Sequence, residues 1–173
     1  MSGRKSFVAS GAVIVVLLLA VVLGLWLSPT REAPVNAVMF DISPGQGIGP
    51  IEFGATADDI EAAFGPADIL HPQGLSMLYR DKGLVFYMDP RGNLSRFEAT
   101  SPKANLSIDR NFPGTIQSRI RIGSTVEEVT DFFGPPSEAE HEEGRMVRGT
   151  WNELGMTLFL GDGGLGSISV EAP

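Results

Sequence analysis

The chain carries the same pattern of apolar and polar positions twice, 69 residues apart. The segment "IEFGATADDIEAAFGPA", from Ile51, aligns with "IRIGSTVEEVTDFFGPP", from Ile120. Each copy predicts a short amphipathic helix that begins at a capping box, formed by a threonine and the acidic residue three positions later, and ends at a glycine. The residues of this repeat motif are Gly54, Thr56, Asp59, Phe64, Gly65 and Pro66 in the first copy and Gly123, Thr125, Glu128, Phe133, Gly134 and Pro135 in the second.

A second shared pattern follows each predicted helix. The segment "YRDKGLVFYMDPRGNLSRFEA", from Tyr79, aligns with "WNELGMTLFLGDGGLGSISV", from Trp151, and both predict two strands joined by a tight turn. A further strand is predicted before each hairpin, at 76–80 and 145–151, and a leading strand near 38–42 and 119–122. The chain is therefore predicted to be α+β, with two tandem repeats that each pack a short helix on an antiparallel three- to four-stranded meander. Whether the repeats share one sheet is left open.

The N-terminal part has a different pattern. Residues 7–27 form an apolar run of 21 positions without a charge, preceded by Arg4 and Lys5. At about 1.5 Å per residue, such a helix crosses the roughly 30 Å core of a bilayer, and the positive-inside rule keeps its N-terminus in the cytoplasm. We expect a single-pass signal anchor in the inner membrane, with the rest of the chain extracytoplasmic or periplasmic. Cleavage as a signal peptide after Ala37 is the alternative.

These patterns predict five segments along the chain. Residues 1–28 form a cytoplasmic tip and transmembrane anchor, and residues 29–37 form a tether. Residues 38–104 form repeat unit 1, residues 105–115 a connector, and residues 116–173 repeat unit 2.

Charge and composition narrow the function classes. From Met39 onward, 20 acidic side chains face 10 basic ones, a balance that disfavours nucleic acid and suits a protein partner, possibly a basic one. The chain has no cysteine, which excludes a lipoprotein anchor, a thiolate nucleophile and cysteine-based metal sites. We expect no cofactor and no metal.

The repeat motif followed by a meander resembles the BamE (SmpA/OmlA) and beta-lactamase-inhibitor-protein-like fold. The resemblance covers about residues 47–100 and 116–171. It implies tandem units of a small helical segment on an antiparallel sheet. It also implies a non-enzymatic protein-binding module, because members of the group hold other proteins with the exposed sheet face and its loops.

Three other features could indicate chemistry. The segment "GDGGLG", from Gly161, matches a nucleotide-binding pattern, but no helix follows it, so a hairpin turn is predicted. His71 and His141 are the only histidines; both are predicted in loops after the helices, the second in a solvated acidic loop over residues 137–145. An enzyme would have to use carboxylates such as Glu138, Glu140 or Glu142, which would then converge on a cleft. We expect no catalytic activity.

The predicted partner-binding residues are aromatic and basic side chains of the meanders, the residue types that dominate binding hot spots. For Tyr79 and Trp151, which occupy equivalent positions of the two copies, a packing role is the alternative to partner contact. A second function is a small-ligand or cell-wall-fragment binding protein that uses a groove between the repeats. The candidate residues are Tyr79, Arg80, Tyr87, Arg96, Arg148 and Trp151.

Overall fold

A computed structural model describes residues 40–71 and 74–173 and has an α+β fold with two helices and two sheets, which confirms the predicted fold class. In chain order the elements are β1 (Asp41–Ser43), β2 (Gly47–Ile48), β3 (Ile51–Glu52), α1 (Ala57–Phe64), β4 (Ile69–Leu70), β5 (Ser76–Tyr79), β6 (Leu84–Met88), β7 (Leu94–Thr100), β8 (Thr115–Ile116), α2 (Val126–Phe133), β9 (Glu138–Glu142), β10 (Arg145–Trp151), a 3-10 turn (Asn152–Leu154), β11 (Met156–Gly161) and β12 (Gly164–Glu171).

The predicted transmembrane anchor and tether lie outside these described residues. Among the helices of residues 40–71 and 74–173, none combines the length and the hydropathy that a bilayer crossing requires.

Both helices begin and end as the sequence predicts. The Thr56 backbone N–H donates to Asp59 Oδ2 at 2.9 Å, and the Asp59 N–H donates back to Thr56 Oγ1. Thr125 and Glu128 form the same reciprocal pair at the start of α2. Each helix ends at a glycine with a positive φ, which a residue with a Cβ adopts only at a cost.

The larger sheet is one continuous antiparallel sheet in the order β4-β5-β6-β7-β12-β11-β10-β9. Each helix is thus followed in sequence by a four-stranded meander. The two meanders join through their last strands, where Phe97 pairs with Val170 and Ala99 pairs with Ile168. Because Phe97 aligns with Ile168 and Ala99 with Val170 in the repeat, this pairing is reciprocal and centres on Glu98 and Ser169.

The core lies between the helices and one face of this sheet. Ile60 and Phe64 of α1 and Val129 of α2 are buried against it. The smaller sheet, in the order β3-β2-β1-β8, adds Ile42 and Ile48 to the same core.

Two sequence predictions about strands are wrong. Residues 119–122 form no strand, and the leading element of the second half is β8, at Thr115–Ile116. Residues 138–142 were predicted as part of a loop but form the edge strand β9, in which His141 lies. All five residues of β9 are exposed, so its sequence lacks the apolar alternation that identifies a half-buried strand.

Candidate functional site

The face of the larger sheet that points away from the helices is called the open face here. The strand pairing fixes its members, because side chains alternate between the two faces along each strand. They include Ser76, Leu78, Val85, Tyr87, Arg96, Glu98, Thr100, Arg148, Thr150, Thr157, Phe159, Ser167, Ser169 and Glu171.

Part of the open face is covered by residues 101–114, the crossover segment that connects β7 to β8. Its Ile108 is buried against Leu78 and Val85, with Tyr87 packed at the margin. Asp109 fixes the segment, since its backbone N–H donates to Arg80 O at 3.0 Å and its carboxylate pairs with the Arg80 guanidinium at 3.0 Å. The apolar portion of the open face is therefore already occupied by the chain itself.

The uncovered portion contains two arginine–aromatic pairs. The Arg96 guanidinium lies 4.0 Å from the ring centre of Tyr87, and the Arg148 guanidinium lies 5.8 Å from that of Phe159. Burial and the nearby Glu98 carboxylate raise the pKa of Tyr87.

Each arginine also pairs with a carboxylate. Arg96 lies 3.5 Å from Glu98, and Arg148 lies 2.7 Å from Glu140 on β9. All four side chains remain partly exposed, so they can exchange these contacts for contacts with a partner.

Hydroxyl side chains lie between the two pairs. Thr150 and Thr157 face each other across β10 and β11 with their hydroxyl oxygens 3.3 Å apart. Ser169 lies opposite Glu98 at the junction of the two meanders. The uncovered portion is therefore a polar surface with two aromatic rings, suited to hydrogen bonding and to packing against another protein.

Two of the predicted partner-binding residues are not on this surface. Tyr79 has no exposed surface and Trp151 is 4% exposed, so both belong to the core, and the packing role is the one that the structure shows. The Tyr79 hydroxyl donates to Gly65 O at 2.9 Å, and Trp151 Nε1 donates to Gly134 O at 3.2 Å. Each ring thus binds the carbonyl at the end of the helix in its own half.

Of the other predicted residues, Tyr87 and Arg96 are neighbours on the open face, and Arg148 lies on the same face three strands away from Arg96. Arg80 lies at the end of β5 and holds the crossover segment. Phe159 also lies on the open face and is 42% exposed, but it is not among the residues predicted from the sequence. Its alignment with Tyr87 in the repeat is the signal that could have identified it.

The remaining sequence motifs have structural roles or remain solvated. The "GDGGLG" segment forms the turn between β11 and β12, as predicted. Glu138, Glu140 and Glu142 are exposed along β9. Glu138 and Glu140 line a surface depression of about 100 Å³, and Glu142 does not line it, so the three carboxylates do not share one cleft. Within residues 40–71 and 74–173, no three histidine or acidic side chains come together in an arrangement that could hold a metal ion.

The buried Tyr79 hydroxyl predicts an alkaline loss of stability. Burial, followed by the carboxylates of Glu61 and Asp68, raises the pKa of Tyr79 to about 12. In the unfolded chain a tyrosine ionises near pH ~10, so the unfolded state loses this proton first. The stability that the protonated Tyr79 hydroxyl contributes is fully present below the pKa of the unfolded state and is lost as the pH rises through the pKa of the folded state.

Tyr79→Phe removes this ionisation and also the donor to Gly65 O. We expect a loss of about 1–2 kcal/mol of unfolding free energy at neutral pH, and a shallower further loss between pH ~10 and ~12 than in the wild type. Urea unfolding from neutral pH to pH ~12 measures the loss at neutral pH and the further loss at high pH. Parallel pH profiles for the two proteins would contradict the assignment.

Comparison with known proteins gives one structural likeness. No protein-family model matches the chain, and no curated protein matches it. The fold is similar to the crystal structure of a DUF4309 family protein, YjgB, from Bacillus subtilis subsp. subtilis strain 168, with a TM-score of 0.50 and 12% sequence identity. The match covers 75% of this chain and 88% of that chain. The two proteins therefore share a fold, and at this identity the likeness extends to the fold alone.

Proposed function

We propose that this protein is a membrane-anchored, extracytoplasmic protein-interaction module that holds another protein on the open face and performs no chemistry. The observation that carries the proposal is the uncovered portion of that face. It presents the pairs Arg96–Tyr87 and Arg148–Phe159 beside a row of hydroxyls. Arginine and aromatic side chains on a partly desolvated surface supply most of the energy of many protein interfaces.

The two-repeat organisation supports the same proposal. We infer that the chain consists of two tandem units of the BamE and beta-lactamase-inhibitor-protein-like kind, which use the exposed sheet face and its loops to hold proteins. The module would then act as an inhibitor or immunity-type protein, or in envelope assembly. Its acidic surface favours a basic partner, and residues 7–27 would keep it in the inner membrane.

The test is a pull-down with the full-length chain from envelope extract, read by mass spectrometry at low and high salt. The double variant Arg96→Ala/Arg148→Ala removes both cations from the open face. Arg91→Ala is the matched control, because Arg91 is exposed in the turn between β6 and β7 and lies off that face.

We expect one stoichiometric partner, which the control variant binds as the wild type does. The double variant should bind it with an affinity at least about tenfold lower, since hot-spot arginines each contribute roughly 1–2 kcal/mol or more. Binding of a basic partner should weaken with salt. A partner held equally by the double variant, or no partner at either salt, would refute the proposal.

A small-ligand binding protein is the second candidate. One observation favours it: a cavity of about 580 Å³ lies between the crossover segment and the turn that joins β11 to β12.

A further inference from the structure

The cavity lies at one end of the open face. Phe159 forms one wall, and residues of the crossover segment, including Ser101, Lys103 and Asn111, form another. Residues 122–123 and 160–166 line the rest, and five of these nine residues are glycines. Its volume of about 580 Å³ falls within the range of about 300–1,000 Å³ that is typical of small-molecule sites.

Three of these glycines are not required by the fold. Gly161, Gly163 and Gly166 have no positive φ, and a Cβ added to any of them would meet no atom closer than 3.6 Å. In the first half, Asp89 and Ser95 occupy the positions that align with Gly161 and Gly166. The second hairpin thus has glycines at positions where side chains would project into the cavity. A ligand can therefore approach its backbone closely.

The polar side chains that line the cavity are those of Ser101, Lys103, Asn111 and Asp162. Lys103 forms no ion pair within the described part of the chain. The Ser101 hydroxyl is buried and accepts from the Ala104 N–H at 3.4 Å, while its own proton has no acceptor among residues 40–71 and 74–173. The Asp162 carboxylate also lines the cavity and pairs with the Arg145 guanidinium. The cavity therefore has an ammonium group without an ion-pair partner and a spare hydroxyl donor.

We propose that this cavity binds a saccharide that carries a carboxylate. A pyranose ring has an apolar C–H face that packs on an aromatic ring such as Phe159. Its hydroxyl groups bond with amide and hydroxyl side chains, here Asn111 and Ser101, and its carboxylate pairs with Lys103. A purely aromatic ligand would leave the Asn111 and Ser101 donors unpaired, at a cost in affinity.

This inference goes beyond the protein-binding proposal and shares only Phe159 with it. Either can fail without the other, because the cavity is tested with sugars and with variants outside the two arginine–aromatic pairs.

The test is saturation-transfer NMR with the full-length chain and two matched probes, methyl β-D-glucuronide and methyl β-D-glucoside. We expect the glucuronide to bind about tenfold more tightly than the glucoside, since a charge-assisted hydrogen bond distinguishes the two. Lys103→Gln should weaken glucuronide binding about tenfold and leave glucoside binding unchanged.

A second variant fills the cavity without touching Lys103. Gly161→Val adds a β-branched side chain in a strand position with no atom within 4 Å of its Cβ, so the fold should tolerate it, and it should abolish binding of both sugars. Arg91→Gln, in the equivalent hairpin of the first half, should change nothing. Absence of glucuronide binding, equal binding of the two probes, or binding that survives both Lys103→Gln and Gly161→Val would overturn the proposal.

Discussion

Gly83→Ala is expected to cost about 3–5 kcal/mol of unfolding free energy. Gly83 has a φ of +65°, where alanine is strained. A Cβ there would lie 2.5 Å from Phe112 N, 2.7 Å from Thr100 O and 2.9 Å from Arg110 O. All three are backbone atoms, so relieving the clash requires a shift of the crossover segment, which carries Arg110 and Phe112, and of the end of β7, which carries Thr100.

The repeat supplies a matched control for this variant. Gly155 occupies the equivalent position with a φ of +57°, and its Cβ would make one close contact, with Glu171 O at 2.8 Å. Gly155→Ala should therefore cost only about 1–2 kcal/mol. Urea unfolding followed by the fluorescence of the buried Trp151 measures the difference. Equal losses at the two glycines would show that the crossover segment does not constrain Gly83.

Phe86→Ala is expected to have the second large effect, about 3–5 kcal/mol. Phe86 has no exposed surface, and its ring centre lies 5.5 Å from that of Phe64, 5.8 Å from Tyr79 and 6.2 Å from Phe97. These three rings come from α1, β5 and β7, so the truncation leaves a cavity at the point where a helix and two strands meet.

Phe159→Ala is the control for this truncation. It removes a phenyl ring of the same size from the open face, where the side chain is 42% exposed, and should lower the unfolding free energy by less than about 1 kcal/mol. Thermal unfolding of the two variants at equal ionic strength shows which of them loses more stability. A loss at Phe159 as large as that at Phe86 would contradict the assignment of the two faces.

The local elements could be predicted from the sequence because their signals are local. Thr56 with Asp59 and Thr125 with Glu128 identify the helix starts, and the alternating residues of β6 and β11 identify the hairpins. β9 escaped prediction because an edge strand with every side chain in solvent has no apolar pattern. β9 is a strand because its backbone pairs with that of β10, which is not visible in its own sequence.

The candidate site was harder to predict because it depends on long-range contacts. Tyr79 and Tyr87 are both meander tyrosines, yet one donates to Gly65 O in the core and the other lies on the open face. Strand alternation distinguishes them only when the strand register is known. Nothing in the composition of residues 101–114 shows that Ile108 covers Leu78 and Val85 on that face.

The reciprocal pairing of β7 with β12 has a consequence for the symmetry of the molecule. A single helix–meander unit would leave the seven residues of its last strand as an unpaired edge, and such an edge recruits another strand. Two identical units joined in this register would form an isologous, two-fold homodimer. The crossover segment turns that intermolecular contact into an intramolecular one, so the fraction of halves that are paired no longer depends on protein concentration. Once tethered, the halves are also free to differ: one places Arg96 and Glu98 on its last strand, whereas the other has Ser167 and Ser169 there.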